Sequence, residues 1–276
     1  MKISVKNLKN IEEANVEGEK IVLYGPNGVG KSTLMHLTML IASKLSSSEL
    51  LYDEDVLPQY IFNGAEVEFS IGDITGEVKN RKITVRQASN GVSDDLLSGN
   101  ALRLGDWSIW HIDEYNIEFS GVPRKCKGFG VLELRSGFKD FAVLCPALAQ
   151  EMGIEGNVHY DATEIAGKWI PIRGLSYGQK KFLAIQAAIY GGDFIFVENF
   201  EAGLHVDYIT SLLDAMTNTN AVVMIETHSG IVVKYALMRG FSVYKAESGR
   251  FMRINFNELS RYDLFQREYQ VLQSLI

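Results

Sequence analysis

The segment Gly25-Pro26-Asn27-Gly28-Val29-Gly30-Lys31-Ser32-Thr33 constrains this chain more than any other stretch. It follows a short apolar run, Lys20-Ile21-Val22-Leu23-Tyr24, of the kind that forms a buried parallel strand. It opens a stretch from Ser32 to about Leu45 in which Leu34, Leu37, Leu40, Ile41 and Leu45 recur at helical spacing. A strand, a glycine-rich turn and a helix in that order fit the pattern G-x-x-x-x-G-K-[ST]. Gly25, Gly28 and Gly30 let the loop curl so that successive backbone N–H groups point inward at phosphates. The positive end of the helix, near Lys31, adds to that field. Lys31 is expected to reach the β- and γ-phosphates of a bound triphosphate, with Asn27 and Thr33 completing the loop. The Ser32 hydroxyl is expected to ligate Mg²⁺. A glycine turn that merely preceded a core helix would have no use for a lysine beside Gly30.

The rest of the chain supplies a sheet around this loop. Ile3-Ser4-Val5 alternates, and from Ile61 to about Val143 short, partly alternating segments are punctuated by glycines such as Gly64, Gly72, Gly76 and Gly91. That pattern predicts an antiparallel meander. Residues 147–190 read as helical, most clearly Gln179–Tyr190. Apolar strands are expected at Phe194–Val197 and Ala221–Ile225, with a helix over Val206–Met216 between them, which argues for a parallel sheet. An amphipathic helix is expected over Asn257–Ile276. The expected fold is α/β: one domain over 1–276, in which 1–145 and 190–256 form a nucleotide-binding lobe with a β-meander insert. Residues 146–189 form a small helical lobe, and 257–276 a C-terminal helix.

Three more segments carry chemistry. Leu175-Ser176-Tyr177-Gly178-Gln179 precedes a helix. Phe194-Ile195-Phe196-Val197-Glu198-Asn199-Phe200-Glu201-Ala202-Gly203-Leu204-His205 is an apolar strand ending in acids. Val222-Val223-Met224-Ile225-Glu226-Thr227-His228-Ser229 is a strand ending in a histidine. With the phosphate loop, this order resembles the ABC-class P-loop ATPases. "Glu-Ala-Gly-Leu-His" and "Glu-Thr-His-Ser" are similar to their cytosolic, non-transporter branch, the SMC, RecF and OLD-like ATPases of DNA repair, chromosome handling and phage defence. The resemblance covers residues 1–45 and 170–250 well and the middle only in layout. It implies that Ser176, Gly178 and Gln179 cap the γ-phosphate of ATP held by the opposite subunit of a head-to-tail homodimer. Ser176 with Gln179 is also a helix capping-box pattern. By the same resemblance His228 is the switch histidine that registers hydrolysis, His205 an interface candidate, and Gln150 a candidate sensor of Mg²⁺.

The strand-end acids depart from the family pattern, which has Asp then Glu. Glu198 keeps the charge of the metal-holding Asp and is expected to serve the Mg²⁺ shell. Asn199 stands where the family has its general base, and a carboxamide cannot take a proton. Either hydrolysis is slow and ATP acts mainly as a dimer glue, or another acid substitutes, Glu201 and Glu226 being the nearby candidates. The alternatives are a non-catalytic ATP-sensing scaffold and an ABC transporter ATPase subunit. The stretch between Lys31 and Leu175 is too short and too β-rich for coiled-coil arms, and no nuclease domain is expected after residue 257.

Composition narrows the partners. Lys and Arg number 27 against 34 Asp and Glu, a net charge of −7, which argues against a strongly cationic nucleic-acid binder. Local basic clusters at Arg81, Lys82 and Arg86, and at Arg124, Lys125 and Lys127, read as solvated edges of the meander, with a DNA or protein partner left open. Two cysteines make no disulfide framework. With no signal peptide and no membrane segment read, the expected location is the cytoplasm. If the loop holds a triphosphate, Lys31→Ala abolishes nucleotide binding; retained ATP affinity, measured by calorimetry, would remove that reading.

Overall fold

The computed structural model describes residues 1–46, 50–87, 90–113, 117–120, 133–135, 140–142, 162–165, 168–171 and 176–257. Its centre is a parallel sheet of five strands: β3 (Lys20–Tyr24), β8 (Ile109–Ile112), β14 (Phe194–Val197), β15 (Val222–Thr227) and β16 (Ser242–Glu247). They lie in the order β16-β3-β15-β14-β8. In register, Glu226 is opposite Leu23 and Thr227 opposite Tyr24, so the end of β15 lies beside the strand that feeds the phosphate loop.

An antiparallel arm continues this sheet. β1 (Lys2–Leu8) pairs with β2 (Ile11–Glu17) and with β4 (Glu66–Ile71). The meander then runs through β5 (Ile74–Lys79), β6 (Lys82–Gln87) and β7 (Asn90–Asp95). β17 (Arg250–Ile254) pairs antiparallel with β16 and parallel with β2, which joins arm and core. On the far edge β9 (Ile117–Ser120) pairs with β8. Thirteen strands of the described residues share this sheet. Two small hairpins stand apart from it, β10 (Glu133–Arg135) with β11 (Asp140–Ala142), and β12 (Ala162–Ile165) with β13 (Lys168–Pro171).

The period-2 alternation of the central strands sorts the core into two halves. Ile21, Leu23, Phe194, Phe196 and Met224 face one side, with the arm and helix α1 (Lys31–Ser46). Val22, Tyr24, Ile195, Val197, Val223 and Ile225 face the other. There they meet α2 (Tyr177–Gly191), α3 (Val206–Thr217) and α4 (Gly230–Met238). Helix α1 is enclosed by both the arm and the core sheet, so even Lys44 in its last turn is fully buried. The Lys44 ammonium donates to Asp94 Oδ2 at 2.8 Å and to Ser98 Oγ at 2.6 Å, so its charge is paired.

The structure departs from the sequence expectations in several places. Ser108–Ile112 was expected in the meander; β8 instead pairs in parallel with β14 as a core strand. All four of its residues are buried, and a short run buried on both faces carries no alternation to tell the two roles apart. The helical reading of 147–190 fails at β12 and β13, where Thr163, Ile165, Trp169 and Ile170 are strand formers. Residues 146–161, with Gln150, and residues 258–276 lie outside the described residues, as do Leu175, Arg124, Lys125 and Lys127. β2, β7, β11, β16, β17 and helix α4 are additions to the sequence reading. Because Leu40 is fully buried between the two layers, Leu40→Ala is expected to cost about 2–5 kcal/mol in urea unfolding. A loss of only a few tenths would show that α1 is not enclosed.

Candidate nucleotide site

The phosphate loop is shaped by close approach as well as by torsion. Gly25 has φ +151°, and a Cβ there would lie 2.3 Å from the carbonyl oxygen of Ala246 on β16. Gly30 has φ +101°, and a Cβ would meet Ile11 Cγ1 at 2.7 Å. Side chains at these two positions would push the loop off the strands that seat it. Asn10, in the β1–β2 turn, donates through Nδ2 to the Gly28 carbonyl at 2.7 Å and so braces the loop from above. The result is a cavity of about 220 Å³ lined by Asn27, Gly28, Gly30, Lys31, Ser32 and Thr33, with Lys9, Asn10, Val56 and Glu226 closing it.

Lys31 is 3% exposed and donates to the Pro26 carbonyl at 2.8 Å. Burial depresses its pKa, opposed chiefly by the Glu226 carboxylate, whose Oε1 lies 3.4 Å away. Ser32 Oγ donates to Glu226 Oε2 at 2.8 Å. Glu226 Oε1 is also 3.9 Å from His228 Nε2. The structure therefore brings Lys31, Ser32, Glu226 and His228 together. Glu201 stands behind this group, accepting from Thr227 Oγ1 at 2.6 Å and from the His228 backbone N–H at 2.8 Å. It holds the turn that carries the histidine.

Glu198 is placed elsewhere. Its Oε1 accepts from His36 Nε2 at 2.7 Å and from His111 Nε2 at 3.0 Å. The Asp53 backbone N–H donates to His36 Nδ1 at 3.2 Å, which puts the His36 proton on Nε2, aimed at Glu198. His111 meets a second carboxylate, Glu118 Oε2, at 3.4 Å from Nδ1. His36, His111 and Glu198 offer ligand atoms within 4.8 Å of one another, a spacing that also suits a cation. The proton on His36 Nε2 occupies the lone pair a cation would need, so the cluster is a buried hydrogen-bonded ion group. Burial alone would raise the Glu198 pKa; the hydrogen bonds from His111 and His36 outweigh it and lower it to about 2. Burial alone would lower that of His111; hydrogen bonds to Glu118 and Glu198 raise it to about 9.

Asn199 adopts φ +42°, a left-handed conformation that asparagine tolerates better than most residues. Its carbonyl accepts from Lys181 Nζ of α2 at 2.7 Å. The expected signature residues open α2. Ser176 is its N-cap, accepting from the Gln179 N–H at 3.3 Å while its own N–H donates to Gln179 Oε1 at 2.9 Å. The capping box is thus formed. Gly178 packs on the loop after β14, where a Cβ would lie 2.0 Å from the Gly203 carbonyl oxygen. Ser176, Gly178 and Gln179 stand on this loop's side, and no contact with the Lys31 cavity is made within the chain among the described residues. His205 is exposed, and its Nδ1 accepts from the Asp207 N–H at 3.4 Å at the start of α3. Arg81 is tied to Asp95 and Gln59, consistent with a paired meander edge.

Glu226, expected only as a nearby candidate for the missing base, lines the cavity itself and meets both Lys31 and Ser32. Its signal was positional: an acid at the end of the strand adjacent to β3.

Comparisons with known proteins agree with this architecture. The family described as "AAA domain, putative AbiEii toxin, Type IV TA system" matches residues 158–233. ABC transporter F family member 5 of Arabidopsis thaliana is 41% identical over 78 residues, 23% of this chain. That match spans only 11% of the plant protein's length. A crystal structure of an SMC head bound to the C-terminal winged-helix domain of ScpA superposes with a TM-score of 0.53 at 10% identity, covering 93% of this chain and 98% of that one. The chain has the ABC-class P-loop ATPase fold. The SMC head domain from Thermotoga maritima shares 13% identity over 92% of this chain and 97% of its own, with a TM-score of 0.48. The cbiO1 protein of Clostridium perfringens shares 16% over 98% and 94%, with a TM-score of 0.49. Within this ABC-class fold no helix among the described residues is long and apolar enough to cross a membrane.

The ion group around Glu198 sets a pH profile. The stability that Glu198 contributes is complete above its ordinary value of 4.5 and is lost as pH falls toward about 2. That of His111 is complete below 6.5 and is lost as pH rises through about 9. His111→Asn is expected to be less stable than wild type in urea unfolding at pH 6, the gap narrowing as pH rises to 9. A gap that stayed constant across that window would contradict the pairing.

Proposed function

We propose that this chain binds ATP with Mg²⁺ in the cavity around Lys31, hydrolyses it slowly, and switches by ATP-dependent head-to-tail dimerisation. The observation that carries the reading is the convergence of a buried lysine, a hydroxyl and a carboxylate on one cavity at the N-terminus of α1. Loop N–H groups and the helix end favour the phosphates. Lys31 exchanges its bond to the Pro26 carbonyl for phosphate oxygens, and Asn27, Gly28, Gly30 and Thr33 line the cradle. The donors at the metal position, the Ser32 hydroxyl and a neighbouring carboxylate, are hard oxygens of the type Mg²⁺ takes. The cation, when bound, neutralises charge that develops on the transferring phosphoryl group.

Slow turnover follows from Asn199. At the end of β14 the position that should orient and deprotonate water carries an amide. Glu198 beside it is held by two imidazoles, and Glu201 by the switch turn. Positioning and charge stabilisation remain, so hydrolysis is reduced rather than lost. The dimer reading rests on Ser176, Gly178 and Gln179, which open a helix with its positive end free of the chain's own nucleotide cavity. A partner's γ-phosphate would meet that end, with His205 at the interface and His228 reading the phosphate from within. By the resemblance, the setting is DNA maintenance or defence in the cytoplasm, with a DNA or protein partner. A non-catalytic ATP-sensing scaffold is the second reading, favoured by the same Asn199.

Steady-state turnover of wild type and Asn199→Glu separates the two. The catalytic reading expects the substitution to raise the rate even though a glutamate at left-handed φ costs about 1–2 kcal/mol of stability. An unchanged or lower rate in a folded variant counts against it. Sedimentation velocity with Mg²⁺ and ATP should show a dimer absent without nucleotide.

A further inference from the structure

We propose that Glu226, and not Glu198, is the carboxylate that joins Ser32 in holding the divalent cation of the nucleotide site. The proposal deepens the nucleotide-site reading above and rests on it. A strand-end acid can ligate the cation directly beside Ser32 only if its oxygens come within reach of the Ser32 hydroxyl. Glu226 Oε2 does so, at 2.8 Å, from a side chain that is almost fully buried and lines the cavity. Glu198 is drawn to His36, which follows Ser32 by one turn of α1. Four residues of helix displace that contact by about 6 Å along the axis. Two imidazole donors hold it there.

The spacing suits the ion. Octahedral Mg²⁺ takes oxygen ligands at about 2.0–2.1 Å, so two neighbouring ligand oxygens stand roughly 2.9 Å apart. Ser32 Oγ and Glu226 Oε2 already have that separation. Charge balance points the same way. Glu226 lies beside Lys31, and the pairing offsets the cost of burying both charges. When Lys31 turns to the phosphates, the Glu226 carboxylate loses that partner, and a divalent cation held by Ser32 and Glu226 would supply the missing positive charge. His228, 3.9 Å from the same carboxylate, would then face an acid engaged by metal rather than by lysine.

The test is the Mg²⁺ dependence of ATP affinity, measured by calorimetry in EDTA and in excess Mg²⁺. Wild type, Glu226→Gln, Glu198→Gln and Lys31→Ala are compared, with circular dichroism confirming that each is folded. Mg²⁺ should tighten ATP binding to wild type. Glu226→Gln should lose about tenfold or more of that gain, the gain being the ratio of its own affinities in Mg²⁺ and in EDTA. Glu198→Gln should keep the gain. A full Mg²⁺ gain in Glu226→Gln, its loss in Glu198→Gln, or no gain in wild type would overturn the proposal and leave the nucleotide site standing. If Glu226→Gln does not fold, Glu226→Asp replaces it: a shorter carboxylate should lose part of the gain, and an undiminished gain overturns the assignment. Wild type that binds no ATP in either buffer, or binds it no better than Lys31→Ala, sinks the nucleotide-site reading itself.

Discussion

Everything in this molecule depends on how the first turn of α1 is enclosed. A lysine and a serine at a helix N-terminus are ordinary; here they are walled by β15 on one side and the β1–β2 turn on the other. The wall follows from topology. β15 lies directly beside β3, so the acid ending β15 comes level with the start of the helix that follows β3. Burial depresses the lysine pKa, and the adjacent carboxylate opposes that effect. The two form a buried pair in which each charge offsets the burial cost of the other.

The same enclosure explains why α1 reads poorly as a surface helix. Its residues are buried almost all the way round, so it shows no broad polar face, and its lysines at both ends are satisfied internally. The arm contributes one half of that enclosure. Ile3, Val5, Val67 and Phe69 stand in cross-strand register and cover the helix from one side. Phe194, Phe196 and Met224 cover it from the other. The arm is therefore part of what holds the phosphate loop at the correct height above the sheet, which Gly25 and Gly30 reflect in their close contacts with β16 and β2.

Much of this was legible in the sequence. The loop, its flanking strand and helix, and the strands around Phe196 and Met224 follow from glycine spacing and apolar runs. The meander was legible in its alternation. What the sequence hid has physical reasons. β8 is buried on both faces, so it has no period to announce its parallel partners. β12 and β13 are too short for their strand formers to outweigh a helical reading of the surrounding segment. Reading Glu198 as a metal-holding position assumes that its side chain is free to point there, whereas two imidazoles hold it. His36 and His111 are remote in sequence, and only the fold shows that they converge on Glu198. Glu226 was legible only as the first residue of Glu-Thr-His-Ser; its place at the cavity follows from strand adjacency, which a linear reading cannot supply.

The two acids that end adjacent strands have thus been given different work by their neighbours. Glu198, with imidazoles from α1 and β8, ties the helix to the sheet edge and stays ionised down to strongly acid pH. Glu226, with a lysine and a hydroxyl, stays within reach of a ligand. Glu201 adds a third function by holding Thr227 and His228. That loop also touches α2, through Gly203 against Gly178 and through the Asn199 carbonyl on Lys181. The first turn of α2, the end of β14 and the turn after β15 therefore form one contiguous run of contacts.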